Sequence, residues 1–226
     1  MIPHGLAELE AKAAGIFMDF VANPAQSMHP RQHEALIPDW VDGLPTDARS
    51  AIASKGLLGT LNLTEKISAF EFNNPVHQAM LLPTEVLMRI ARALGVRCIA
   101  PHLLRVIHQE ELRELDDLLE PEDWATVLAS SPLPWPSEPP QTIDLRPMVK
   151  SVESKGLALL SAVMKQLPTE IGQRALLKLP PPDDWEAVDP TNALAWLPDI
   201  YRQTVEDWNP QWLMLWNVSE DPERMN

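Results

Sequence analysis

Proline is the residue that most constrains how this chain can fold, because 23 of its 226 residues are proline and only 8 are glycine. Proteins on average contain roughly 5% proline, so this chain has about twice the usual proportion. Proline begins helices well but interrupts helix interiors and central strands, and few glycines leave few tight hairpin turns. The sequence therefore predicts an all-α fold, a compact array of short proline-punctuated helices with at most a minor β element.

Apolar residues recur at steps of three and four along most of the chain, the spacing of one helix face. Thr46 predicts a helix start and Gly56 the end of that helix. Thr84, preceded by a proline, predicts another start, and Gly95 is predicted to end that second helix. The stretch from Leu61 to Phe72 is ambiguous between strand and helix.

Two similar strings mark predicted helix starts. Leu-Pro-Thr-Glu-Val begins at Leu82 and Leu-Pro-Thr-Glu-Ile at Leu167, and an arginine follows each at the same distance. A second similar pair, Ser-Lys-Gly-Leu from Ser54 and from Ser154, has a different offset. A duplicated domain would give one common offset, so we interpret these strings as reused helix starts and breaks rather than as an internal repeat.

Six prolines between residues 131 and 147 indicate an extended connector. We therefore divide the chain into a helical N-terminal part (1–130), a proline-rich connector (131–147) and a helical C-terminal part (148–226). The two helical parts are expected to pack together into one globular unit.

The charge of the chain restricts its partners. Its 32 acidic and 18 basic residues give a formal net charge of −14 at pH 7, which repels nucleic-acid phosphates and anionic lipids. The single cysteine, Cys98, excludes an internal disulfide and is interpreted as a small core residue. The sequence shows no signal-peptide pattern and no apolar run of ~18 residues, so we expect a cytoplasmic protein without direct membrane insertion.

No familiar catalytic or cofactor motif is present. His29 and His33 are four residues apart, but a proline lies between them and no cysteine pair supports a metal site. Nucleophile, phosphate-loop and dinucleotide motifs are also missing. We predict no catalytic residue, no metal and no cofactor. One alternative stays open, a helical enzyme whose site is assembled from carboxylates and the dispersed histidines His77, His102 and His108.

Two groups of residues are candidate contacts for a partner protein. An acidic run between residues 110 and 123 alternates with leucines, which is typical of the solvated face of an amphipathic helix or of a docking surface. Near the C-terminus, tryptophans spaced by four share one helix face unless Pro210 splits the helix; they either close the core or anchor a partner. The candidate partner-binding residues are Glu110, Glu111, Glu114, Asp117, Trp208, Trp212 and Trp216.

Three segments between residues 29 and 182 resemble the SctK family, the sorting-platform accessory proteins of bacterial type III secretion systems. They are His29-Pro30 leading to Leu36-Ile37-Pro38-Asp39-Trp40; Leu81-Leu82-Pro83 through Leu94-Gly95-Val96 to Leu103-Leu104-Arg105-Val106-Ile107; and Gly156-Leu157-Ala158-Leu159-Leu160 followed by Leu167-Pro168, Arg174 and Leu177-Lys178-Leu179-Pro180.

The resemblance implies a non-enzymatic adaptor on the cytoplasmic side of the injectisome, held at the inner membrane through its partners. Proteins of that family link the cytosolic domain of the inner-membrane ring to a pod-forming protein that resembles a flagellar switch component. The resemblance brings no catalytic or metal residue. A third hypothesis, a chaperone for secreted proteins, fits the acidity, but such chaperones are typically smaller α/β dimers.

Overall fold

The computed structural model describes residues 4–64, 67–104, 109–130, 145–182 and 188–216. These residues form twelve α-helices and three short 3₁₀ turns, with no strand among them, so the all-α prediction is confirmed. The helices are α1 His4–Ala22, α2 Pro30–Leu36, α3 Thr46–Thr60, α4 Pro75–Leu81, α5 Thr84–Leu103, α6 Gln109–Asp116, α7 Pro121–Ala129, α8 Leu145–Lys150, α9 Val152–Gln166, α10 Thr169–Leu176, α11 Thr191–Trp208 and α12 Gln211–Trp216. The 3₁₀ turns are Pro24–Ser27, Asp39–Gly43 and Ala69–Asn73.

Prolines set many of the helix starts, as predicted. The first residue of a helix needs no backbone hydrogen-bond partner for its amide, so proline is tolerated there and its fixed φ suits the helix. Helices α2, α4 and α7 begin at a proline, and α3, α5, α10 and α11 begin directly after one. Both Leu-Pro-Thr-Glu strings begin a helix, at Thr84 and at Thr169.

Helices α5 and α9 cross at the centre of the protein with their backbones in contact. A Cβ atom added at Gly95 would lie 2.8 Å from the carbonyl carbon of Val152, and one added at Gly156 would lie 2.6 Å from that of Ala91. Carbon atoms that are not bonded to each other do not approach this closely, so any side chain at either position would push the two helices apart. The prediction that Gly95 ends its helix is therefore wrong. Gly95 instead lets α5 continue past α9 to Leu103.

Two further sequence predictions are wrong. Helix α3 continues through Gly56 to Thr60, because glycine weakens a helix without necessarily ending it. Cys98 is exposed rather than buried in the core. The ambiguous stretch from Leu61 to Phe72 contains no strand in its described residues, and its 3₁₀ turn buries the ring of Phe72.

Three apolar clusters form the interior. The largest draws on α1, α4, α5 and α9–α12, helices from both sides of the predicted connector. The second is formed by residues of α6, α7 and α8 together with the C-terminal half of α5 and the first residue of α9. The third is small and contains Met28, Ile37, Val41, Ala53, Leu57 and Leu177. Helix α8 begins at Leu145, inside the predicted connector, and residues 131–144 lie outside the described residues.

We predict that the substitution Gly156→Ala lowers the free energy of unfolding by about 2–3 kcal/mol, because the new methyl group forces α5 and α9 apart. Gly56→Ala is the matched control: it lies inside α3 with nothing within 4 Å of the new Cβ, so it should raise stability by roughly 0.5–1 kcal/mol. Urea denaturation followed by circular dichroism measures both. Equal effects of the two substitutions would contradict the backbone contact.

Candidate functional site

The predicted acidic surface lies on α6 and the turn that follows it. Glu110, Glu111 and Glu114 belong to α6, and Asp117 comes directly after its last residue. The side chains of Glu110 and Glu111 lie outside the described part of the structure. Asp117 is exposed, whereas the buried Leu115 turns inward to the second apolar cluster.

Glu114 has a structural partner. Its carboxylate pairs with the guanidinium of Arg146, so this acid joins α6 to α8. Exposed ion pairs contribute little to stability, typically 0–1 kcal/mol. A partner protein that bound Glu114 through a cation would have to compete with Arg146, whereas Asp117 has no such ion pair within the described residues.

Asp123, at the end of the same acidic run, departs from the predicted solvated face because it is only 4% exposed. The guanidinium of Arg92 donates to both carboxylate oxygens of Asp123, at 2.9 Å from Nε and 2.6 Å from Nη2. The backbone N–H of Glu120 donates to the same carboxylate at 2.9 Å, which completes the cap of α7. The hydrogen bond to Asp123 also raises the pKa of Arg92. This pair fixes α7 to α5.

The C-terminal tryptophans lie on two helices. Helix α11 ends at Trp208 and α12 begins at Gln211, so Pro210 does split the predicted continuous face. The rings of Trp208 and Trp212 pack against each other, with centroids 5.6 Å apart. Trp212 is buried in the largest cluster, Trp208 is half-buried, and the side chain of Trp216 lies outside the described residues. A partner could reach Trp208, whereas Trp212 holds α12 in place.

Lys178 is a buried charge that the sequence analysis did not single out. It is 3% exposed, and its ammonium donates to the carbonyl oxygens of Met80 at 2.9 Å and Leu82 at 3.0 Å. The same nitrogen lies 5.1 Å from the centroid of the Phe20 ring. Lys178 thus satisfies the C-terminal end of α4, where carbonyl groups lack partners within the helix. A lone lysine between two leucines was the only sequence signal for this role.

A cavity of ≈ 460 Å³ adjoins Lys178, between α1, the Pro24–Ser27 turn and the start of α5. Phe20 and Trp212 contribute apolar walls, and the carboxylates of Asp19 and Glu85 also line it. Burial lowers the pKa of Lys178 to about 7, while the charge of Glu85 acts in the opposite direction. Because two backbone carbonyls already hold the amine of Lys178, its position has a structural explanation.

Arg174 is a second buried cation, only 1% exposed. It donates to the carbonyl oxygens of Val21 at 3.2 Å and Glu170 at 2.8 Å, to that of Thr64, and to the Glu170 carboxylate at 2.7 Å. It therefore joins the end of α1 and the residues after α3 to α10. The equivalent arginine after the first Leu-Pro-Thr-Glu string, Arg89, is exposed, so sequence similarity did not predict this environment.

The candidate enzyme residues do not form a site in the described part of the chain. His77 packs against the ring of Phe72 beside the Ala69–Asn73 turn, while His102 lies in the last turn of α5 and His108 is not among the described residues. His29 accepts a hydrogen bond from the Arg31 amide at the start of α2. No group of three or more histidine, cysteine or acidic residues in the described segments could hold a metal ion.

The chain matches the family model described as YOP proteins translocation protein K (YscK) over residues 16–202. The chain belongs to the YscK family. The match confirms the resemblance that the sequence shows between residues 29 and 182. As a member of this family, the chain is a type III secretion protein. Neither the curated proteins nor the solved structures contain a match to it. Within the described segments, no helix is long and apolar enough to span a membrane.

We predict that the stability of the protein rises with pH between about 7 and 9 through Lys178. The pKa of this lysine is about 7 in the folded chain and 10.5 when unfolded, so the unfolded state binds about half a proton more at pH 7 and about one proton more at pH 8 to 9. The free energy of unfolding should therefore increase with pH, by up to roughly 1 kcal/mol per pH unit from this group.

The measurement is the difference in unfolding free energy between the wild type and Lys178→Met at pH 6, 7, 8 and 9. The control Lys155→Met removes an exposed lysine of α9 and should leave the pH dependence unchanged. Parallel pH profiles for the wild type and Lys178→Met would show that Lys178 keeps its ordinary pKa in the folded protein.

Proposed function

We propose that this YscK-family chain is a non-enzymatic adaptor of the cytosolic sorting platform of a type III secretion system. In this proposal it links the cytosolic domain of the inner-membrane ring to the pod-forming protein, and it resides in the cytoplasm, held at the inner membrane through these partners. The observation that carries the proposal is the family match, which includes both central helices and most of each apolar cluster.

The interior of the molecule supports an adaptor role. An adaptor transmits position between its neighbours, so the surfaces that they bind must be fixed relative to each other. Here α6 and α7 are joined to the centre through Arg92 and Asp123, and α12 is held by the buried Trp212. Both candidate surfaces therefore rest on elements that are anchored to the largest or second apolar cluster.

The distribution of histidines favours an adaptor over the alternative enzyme. A catalytic site requires an acid or base and a second polar group within reach of one substrate. His77 lies on α4 with its ring against Phe72, and His102 lies in the last turn of α5. No observation in the described residues favours a particular reaction.

The direct test is affinity purification of the tagged full-length chain from bacteria that assemble the secretion system, with identification of the bound proteins. We expect to recover the inner-membrane ring protein and the pod-forming protein together. Recovery of neither protein from cells that contain assembled injectisomes would contradict the adaptor role.

We further predict that Asp117→Lys weakens binding to the purified pod protein by about tenfold. The substitution replaces an exposed acid after the end of α6 with a lysine, which would repel a basic surface of the partner. Asp117 is the better probe, because changing Glu114 would also break its pair with Arg146. Glu206→Lys, an exposed acid on α11, is the matched control and should leave the affinity unchanged. Isothermal titration calorimetry measures all three affinities, and equal values for the two variants would remove α6 from the binding surface.

A further inference from the structure

Trp40 is unusually exposed. Its side chain is 63% exposed, whereas Trp124, Trp196 and Trp208 are half-buried and Trp212 is buried. Tryptophan is normally among the most buried residues on average because of its large apolar ring. Two other large apolar residues, Leu36 and Ile52, are each 40% exposed, and the residues that follow them in the chain, Ile37 and Ala53, belong to the third cluster.

The backbone holds Trp40 outward. Its neighbour Val41 is 2% exposed and packs in the third cluster together with Ile37. The amide of Val41 donates to the Pro38 carbonyl at 3.0 Å, and the guanidinium of Arg49 donates to the carbonyl of Leu44 at 3.3 Å. These bonds fix the Asp39–Gly43 turn, so Trp40 cannot turn inward without removing Val41 from the cluster.

Acidic residues lie close to Trp40 along the chain, and Asp39 is its direct neighbour. Glu34 and Asp39 are exposed, and neither forms a salt bridge within the described residues. The carboxylate of Asp42 lies 3.7 Å from Arg49, so that arginine is already used by the turn. An exposed indole ring that follows an exposed aspartate in the chain offers a cation both a ring face and a carboxylate partner.

We propose that Trp40, Leu36 and Asp39 form a docking point for a basic segment of a partner protein of the secretion assembly. An arginine or lysine of that segment stacks on the indole and pairs with Asp39, while a neighbouring aliphatic side chain covers Leu36. The proposal rests on the adaptor function and names the chemistry by which one neighbour is held.

Charge disfavours the two other occupants of such a patch. A second copy of the chain would bring the same carboxylates together, and each copy carries a net charge of −14. An anionic membrane would meet the same repulsion. A basic protein segment is the occupant that gains both the apolar contact and the charge pairing.

The test measures binding of the purified full chain to the purified cytosolic domain of the ring protein and to the purified pod protein. We expect Trp40→Ala to weaken binding to one of them by at least about tenfold, and Asp39→Lys to weaken the same complex. The controls are Leu128→Ala, which removes an apolar side chain that is 69% exposed on α7, and Asp199→Lys on α11. Both should stay within about twofold of the wild type. Circular dichroism confirms that each variant is folded.

The outcomes separate this inference from the proposed function. If the wild type binds its partners and Trp40→Ala binds as tightly as Leu128→Ala, the docking point is wrong and the adaptor function stands. If the wild type forms a dimer that Trp40→Ala abolishes, a second copy occupies the patch and the inference is also wrong.

If the wild type binds neither protein, the proposed function fails, and fluorine NMR of the 5-fluorotryptophan-labelled chain decides the chemistry of the patch. The Trp40 signal is assigned from the Trp40→Phe variant. A short peptide that alternates arginine with leucine should shift this signal, and a matched glutamate–leucine peptide should not. Equal responses to the two peptides would overturn the inference.

Discussion

The backbone contact between α5 and α9 is the constraint on which the rest of the structure depends. With glycine at 95 and 156, the two helices come close enough for each to contribute to apolar clusters on both sides of the crossing. Leu94 and Leu160 belong to the largest cluster, and Val96 and Val152 belong to the second. The contact also joins the residues before the proline-rich segment to those after it. The acidic surface on α6 and the tryptophans of α11 and α12 depend on this central pair for their relative positions, because they adjoin the two clusters that it shares.

Buried charges solve a problem that the prolines create. Many short helices leave many end carbonyl and amide groups without partners inside a helix, and such groups are costly to bury. Lys178 accommodates the end of α4, and Arg174 binds the Val21 carbonyl at the end of α1. Asp123 accepts an amide at the start of α7. These three side chains are hydrogen-bonded to backbone as well as buried, which explains how ionisable groups occur inside an apolar interior.

The sequence predicted helix starts better than helix ends. A proline at a helix start acts locally, through its own φ and its missing donor, so Thr84 and Thr169 were placed correctly. The effect of a glycine depends on what packs against it, so Gly95 was mistaken for a stop when it is a contact with α9. The family was recognised from three leucine-rich segments and is confirmed by the match over residues 16–202. The roles of Lys178 and Asp123 could not be predicted, because both depend on residues distant in the chain.

Native-state hydrogen exchange of the free, full-length chain tests the central claim most directly. If the α5–α9 contact organises the fold, the amides around Leu94 in α5 and Leu160 in α9 exchange only through global unfolding, with the same highest free energy of opening. Faster exchange in these two helices than in α11, with a lower free energy of opening, would show that the pair opens by itself and would contradict the account.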